Sequence, residues 1–163
     1  METDGEIIRL APDGFRKCGN IWDMERQSEL AERFYRELLS GNRITYVFRS
    51  REEYIGEISL VFDTDDPDYT VPERRAYVSR LLVKRRYRRQ GIGKRLLASV
   101  IETAGDMGYP ELSVGVDLDN YAALKLYVEA GFRTVLFLGE DAGGKYVKLL
   151  MKLDSLSACA EHK

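Results

Sequence analysis

Histidine is nearly missing from this chain: 163 residues contain one, His162. It stands in the polar stretch SLSACAEHK at the C-terminal end, where a bystander is expected rather than a catalytic base, so histidine-based proton transfer is set aside. Cysteine is almost as scarce. Cys18 and Cys159 lie near opposite ends without CxxC spacing, which signals neither a zinc site nor a disulfide framework, and no metal is expected. No apolar run approaches the ~20 residues of a membrane-spanning helix, and the opening METDGEIIRL lacks the positive and then apolar regions of a secretory leader. A cytoplasmic protein with no membrane partner is expected. A surplus of one charge is lacking too. Lys and Arg total 25 against 27 Asp and Glu, a net charge of -2 that gives no global reason to bind polyanions.

What is present is the composition of an ordinary globular chain, 44% hydrophobic and 32% charged. Its length suits one domain, expected over residues 1–154, with 155–163 as a disordered tail. Ile7 to Leu10 reads as a strand, and Phe15 to Leu39 as helical with a break near Arg26 to Ser28, stopped by Gly41-Asn42. ITYVF (44–48) and YIGEISLVF (54–62) read as a hairpin, followed by the acidic loop DTDDPDYTVPE (63–73). AYVSRLLV (76–83) is a strand. After it, Ile92, Leu96, Leu97, Val100, Ile101 and Ala104 recur at helical spacing. LSVGV (112–116) is a strand, DLDNYAALKLYVEAGF a second amphipathic helix ended by Gly131, and RTVLFL (133–138) and KYVKLLMKL (145–153) a hairpin around GEDAGG. Alternation in the last strand predicts a buried face of Val147, Leu149, Met151 and Leu153 and a mostly wet face of Lys148, Leu150 and Lys152. This order suits an α/β (α+β) fold, a mixed sheet with helices on both faces.

The stretch RRYRRQGIGKRLL, residues 85–97, packs charge and glycine between a strand and a helix. A nucleic-acid site is disfavoured, because one basic hexamer in a slightly acidic chain is weak support. The GxxxxGK[ST] phosphate loop would need glycine at Arg88 and a hydroxyl at Arg95, and the GxGxxG fingerprint would need glycine at Leu96, so both fail. There remains a turn with Gly91 and Gly93 opening a helix. Glycines there can take positive φ and let main-chain N–H groups approach an anion at the positive end of the helix dipole. Arg88 and Arg89 can add charge-assisted hydrogen bonds and Lys94 a point charge. Read by itself, the stretch is as readily a plain turn.

A second pattern accompanies it: Asn120, Ala123, Tyr127, Gly131 and Phe132 form N-x-x-A-x-x-x-Y-x-x-x-G-F. Together with R88-x-x-G91-x-G93, this resembles the GNAT superfamily of acetyl-CoA-dependent N-acetyltransferases, with the family's order of elements kept from about residue 44 to 153. The resemblance implies a mostly antiparallel seven-stranded sheet whose central parallel strands, those of Leu82 and Val116, splay apart. It implies that Arg88, Arg89, Gly91, Ile92, Gly93 and Lys94 bind the coenzyme A pyrophosphate. Main chain near Leu82 and Val83 would pair with the pantetheine amides, as an added strand would, and an N–H there can stabilise the oxyanion. Asn120 would contact the coenzyme, unless it only caps its helix. Tyr127 would protonate the leaving sulfur, unless it is simply a core aromatic.

The base is less defined. Many relatives carry a glutamate two or three positions before the Leu-x-Val of the strand, where this chain has Ser79-Arg80. Glu57 is the first candidate and Asp117 the second, acting directly or through water; a surface carboxylate is the more ordinary reading of each, and water-mediated deprotonation with no single base is the alternative. The resulting expectation is acetyl transfer from acetyl-CoA to a primary amine by direct attack in a ternary complex. Four aspartates in residues 63–68 favour a small cationic acceptor, although a solvated loop explains them equally well. Protein N-termini or lysines as acceptors, and a non-catalytic acyl-CoA-binding module, are the alternatives. No nucleic-acid partner is expected, and a homodimer is possible.

Overall fold

A computed structural model describes residues 3–153, so the tail expected at 155–163, with Cys159 and His162, lies outside the described residues. The seven strands are β1 (Glu6–Arg9), β2 (Arg43–Ser50), β3 (Glu53–Val61), β4 (Arg75–Val83), β5 (Glu111–Asp117), β6 (Thr134–Asp141) and β7 (Gly144–Lys152). They form one sheet in the order β1-β2-β3-β4-β5-β7-β6, mostly antiparallel with β4 and β5 parallel. The parallel ladder runs from Arg75↔Glu111 to Val78↔Val114, although β4 continues to Val83 and β5 to Asp117.

The α-helices are α1 (Ser28–Ser40), α2 (Ile92–Asp106) and α3 (Tyr121–Ala130). None of the described helices is long and apolar enough to cross a membrane. Helix α1 ends where Gly41 takes φ +83 and its N–H bonds to the Leu38 carbonyl, so the expected stop is a left-handed cap. The helical reading from Phe15 is only partly right. Pro12–Asn20 winds as a 3-10 helix, with proline in its first turn and Gly14 and Gly19 weakening the α form. The final hairpin is tighter than expected, since β6 and β7 pair up to Asp141↔Gly144 and leave Ala142-Gly143 as the turn. There the Asp141 carboxylate accepts the Gly143 N–H at 2.8 Å.

The chain divides into two compact units interleaved in sequence. The first holds the residues up to Leu60 together with Arg80–Val100, and the second Val61–Ser79 with the residues from Ile101 onward. The first unit's core gathers Leu10, Phe15, Cys18, Trp22, Phe34, Val47 and Tyr54. In the second, Leu112 pairs with Met151 and Val114 with Leu149, all buried, and Phe132 is wholly buried. The wet face expected for β7 is corrected here. Lys148 and Leu150 are both buried, because the loop before β4 reaches this face and Lys148 bonds its Asp66 and Asp68; only Lys152 stays exposed.

Candidate active site

In the first unit, β4 runs into the glycine turn and α2 as the sequence pattern predicts. Two positions before it bend the chain: Arg80 takes φ +62 inside β4 and Arg89 φ +66 in the turn, left-handed conformations that non-glycine residues adopt only where the surroundings hold them. Gly91 has φ +79, and a side chain there would meet nothing within 4 Å, so the turn is open to solvent. Gly93 is already the second residue of α2 and is absent from the left-handed set; its contribution is a bare helix end rather than a turn. The first N–H groups of α2, among them those of Ile92, Gly93 and Lys94, have no partners within the helix. Arg88, Arg89 and Lys94 are exposed beside them, and Arg88 Nε also braces the turn by donating to the Val83 carbonyl at 2.9 Å. Lys84 N–H bonds the Ile55 carbonyl of β3 at 2.8 Å, and the Leu82 carbonyl lies against Gly56. By strand alternation, the main-chain groups of Leu82 therefore face β3, and those of Val83 face away from it.

Glu57 of β3 is not the surface carboxylate its pattern allows. It is 3% exposed, and burial pushes its pKa from 4.5 up to about 7, a rise that Arg80, the Trp22 indole and Arg43 restrain. Neither Glu57 Oε1 nor Trp22 Nε1 closes a hydrogen bond of ordinary geometry. The cations around it rest on rings: Arg80 Cζ is 4.6 Å from the Trp22 centroid, and Arg43 Cζ is 3.8 Å from that of Phe34. Cys18 is fully buried, and burial, then the charge of Glu57, pushes its thiol pKa well above the usual range. Trp22 also lines a cleft of about 980 Å³, with Phe15, Tyr35, Asp13, Asp23 and Glu25. Sequence reasoning missed Trp22, Arg43, Arg80 and Cys18 as neighbours of Glu57. The available signal was a lone carboxylate in the middle of the otherwise uncharged stretch YIGEISLVF.

In the second unit, Tyr127 on α3 is 6% exposed and packs edge-on against Phe132 at 5.8 Å. Burial, and then Tyr77, hold its phenol far above the usual pKa, so it is protonated at every physiological pH. Asn120 caps α3, its side chain accepting the Ala123 N–H at 3.2 Å. Asp117 is exposed, and its carbonyl accepts the Asn120 N–H. Of the four loop aspartates, Asp66 and Asp68 are tied to Lys148 at 2.6 and 3.2 Å.

The comparisons agree with this arrangement of elements. A family model described as acetyltransferase (GNAT) family matches residues 7–132. Among curated proteins, N-acetyltransferase 8 of Homo sapiens is 34% identical over 88 residues, which is 54% of this chain and 37% of that protein; the chain thus spans well under half of this relative's length. Among solved structures, an N-acetyltransferase from Staphylococcus aureus Mu50 superposes with a TM-score of 0.75 at 16% identity, covering 92% of this chain and 99% of that one. The paiA N-acetyltransferase from Thermoplasma acidophilum, solved in complex with coenzyme A, gives 0.63 at 18% identity, covering 91% and 99%. At such identities the structures speak for the fold, and the family model for descent: the chain belongs to the acetyltransferase (GNAT) family.

Proposed function

We propose that this chain is an N-acetyltransferase that moves an acetyl group from acetyl-CoA to a primary amine by direct attack in a ternary complex, with a small cationic amine as acceptor. The observation that carries the reading is the strand, open glycine turn and bare helix end at residues 80–106, ringed by Arg88, Arg89 and Lys94. Main-chain N–H groups of Ile92, Gly93 and Lys94 and the two guanidinium groups hold the diphosphate. Gly91 keeps the approach clear. Val83, whose main chain faces away from β3, pairs with a pantetheine amide, with Leu82 fixing the strand beside it. Asn120 holds the start of α3 and contacts the coenzyme.

The chemistry needs two proton movements. Tyr127, kept protonated by burial, donates to the sulfur as the carbon–sulfur bond breaks. Glu57, through water, takes the proton of the amine as its nitrogen bonds to the acetyl carbon. A carboxylate near pKa 7 suits this role, because it is ionised often enough to accept and basic enough to draw the proton. The acidic and aromatic lining of the 980 Å³ cleft, whose Trp22 wall touches the surroundings of Glu57, supports a cationic acceptor. With Asp66 and Asp68 sharing the one positive charge of Lys148, the loop at 63–68 adds less to that preference than its composition suggests.

The test is thiol release from acetyl-CoA against a mixed library of amines and peptides, with mass spectrometry of the products. An acetylated small amine is expected. Tyr127→Phe then lowers kcat by about 100-fold or more with acetyl-CoA affinity nearly intact, because only a proton donor is lost. An unchanged kcat removes Tyr127 from the mechanism.

A further inference from the structure

The segment ahead of β1 lies along the end of β2 and reaches the turn that opens α2. Thr3 donates twice to one atom there, its N–H at 2.7 Å and its hydroxyl at 2.6 Å, both to Gln90 Oε1. The residues that follow are held as well. Ser50 Oγ donates to the Asp4 carbonyl at 2.7 Å, and Glu6 pairs with Arg49 both in the strand ladder and as an ion pair. Gly5 passes so close to β2 that a side chain on it would overlap the Phe48 ring and stand 2.6 Å from the Arg49 carbonyl oxygen. Arg95 of α2 covers the same ring, its Cζ 5.0 Å from the centroid. All of these residues belong to the first unit.

Gln90 is where such a tether has most effect. Its neighbours on both sides, Arg89 at φ +66 and Gly91 at φ +79, are left-handed, and the Gly91 carbonyl accepts the Arg95 N–H at 3.1 Å where α2 begins. Arg89 lacks the freedom of a glycine, so its conformation persists only while the surroundings hold it. The N–H groups assigned to the diphosphate, those of Ile92, Gly93 and Lys94, begin two residues beyond Gln90. Their direction is set by how the chain enters the helix. The tie from Thr3 spans 87 positions and fixes that entry from outside the glycine motif.

We propose that Thr3, acting through Gln90, is a positioning residue for the coenzyme: its two bonds hold the diphosphate turn in the conformation that binds. The inference rests on the acetyl-transfer reading above for what occupies the turn. A turn released from Thr3 spends part of its time relaxed, and affinity falls in proportion to the competent fraction that is lost. The effect runs through the shape of the turn, and neither Thr3 nor the Gln90 side chain is assigned a contact with the coenzyme.

The experiment is calorimetric titration of the full chain with coenzyme A, beside thermal unfolding of each free protein. Thr3→Val, which removes the hydroxyl and keeps the shape and the N–H, weakens binding about fivefold, as the loss of one hydrogen bond does. Thr3→Ser, which keeps the hydroxyl, binds as the wild type does. Gln90→Met removes the acceptor of both bonds and weakens binding about tenfold or more. The double variant Thr3→Val, Gln90→Met is no weaker than Gln90→Met alone, because both changes act on one linkage. By reciprocity, coenzyme A slows hydrogen exchange of the Thr3 N–H in the wild type and not in Gln90→Met. A role confined to stability moves the melting temperature and neither of these readouts. The two Thr3 variants decide alone if Gln90→Met does not fold. Wild-type affinity in Thr3→Val and Gln90→Met, or losses that add in the double variant, overturns the inference and leaves the acetyl-transfer reading standing. Absence of coenzyme A binding in the wild type overturns both.

Discussion

Two buried ionic groups, one in each unit, show how differently the same fold uses burial. Lys148 is 9% exposed and sits between Asp66 and Asp68 at 2.6 and 3.2 Å. Burial alone pulls its pKa down, but the two carboxylates more than restore it, and it ends above the usual lysine value. Burial likewise works against ionised Asp66, and the bonds from Lys148 and the Asp68 and Tyr69 N–H groups overcome it, so its pKa falls. Glu57 is buried more deeply, yet Arg80 and Arg43 only restrain the rise to about 7, and its Oε1 closes no bond. Completeness of pairing separates the two. The closed cluster anchors a loop, and the open one is left poised to exchange a proton near neutrality.

The contrast breaks most visibly at Glu57. Glu57→Gln is expected to lower kcat/KM by about 100-fold or more while acetyl-CoA affinity stays within about twofold. The wild-type rate falls as pH drops below about 7, because the carboxyl must be ionised to accept a proton, and the residual rate of the variant loses that limb. Stability follows the same group with the opposite preference. The folded pKa lies above the ordinary 4.5, so the folded state binds this proton more tightly; the contribution is complete below about 4.5 and is lost as pH rises through about 7. That amounts to ~3 kcal/mol, visible in denaturant titrations from pH 4 to 8 and flattened in Glu57→Gln. A pH-independent difference between the two proteins would count against the poised carboxyl.

At the closed cluster the expectation reverses. Lys148→Met leaves two partly exposed carboxylates without their cation and costs about 2 kcal/mol by chemical denaturation. The pH–rate limb near 7 stays where it was. A shifted limb would mean that the clusters are not independent. The smallest change expected is at Arg80, the strongest restraint on Glu57. Arg80→Met lets the limb rise by about one pH unit, ~1.4 kcal/mol, measured from kcat/KM against pH.

Most of the fold was legible because apolar periodicity and glycine stops report backbone choices directly: the recurrence from Ile92 to Ala104 is α2, and Gly41 and Gly131 end α1 and α3. The elements that were misjudged depend on contacts distant in sequence. Lys148 reads as a wet residue until the loop some 80 positions earlier folds over it. Glu57 reads as a surface carboxylate until Trp22, Arg80 and Arg43 close around it, an arrangement no local pattern encodes. The loop motif from Arg88 to Lys94 was readable for the opposite reason. Its turn needs a left-handed glycine at a fixed offset from a helix start, so the constraint is written in adjacent letters.

The account stands on the glycine turn gripping a diphosphate, and calorimetric titration of acetyl-CoA into the wild type and into an Arg88→Ala, Arg89→Ala double variant tests it most directly. Saturable 1:1 binding is expected, weakened at least about tenfold in the double variant as two charge-assisted contacts are lost. Absence of heat with the wild type, or equal affinity in the two proteins, would contradict it.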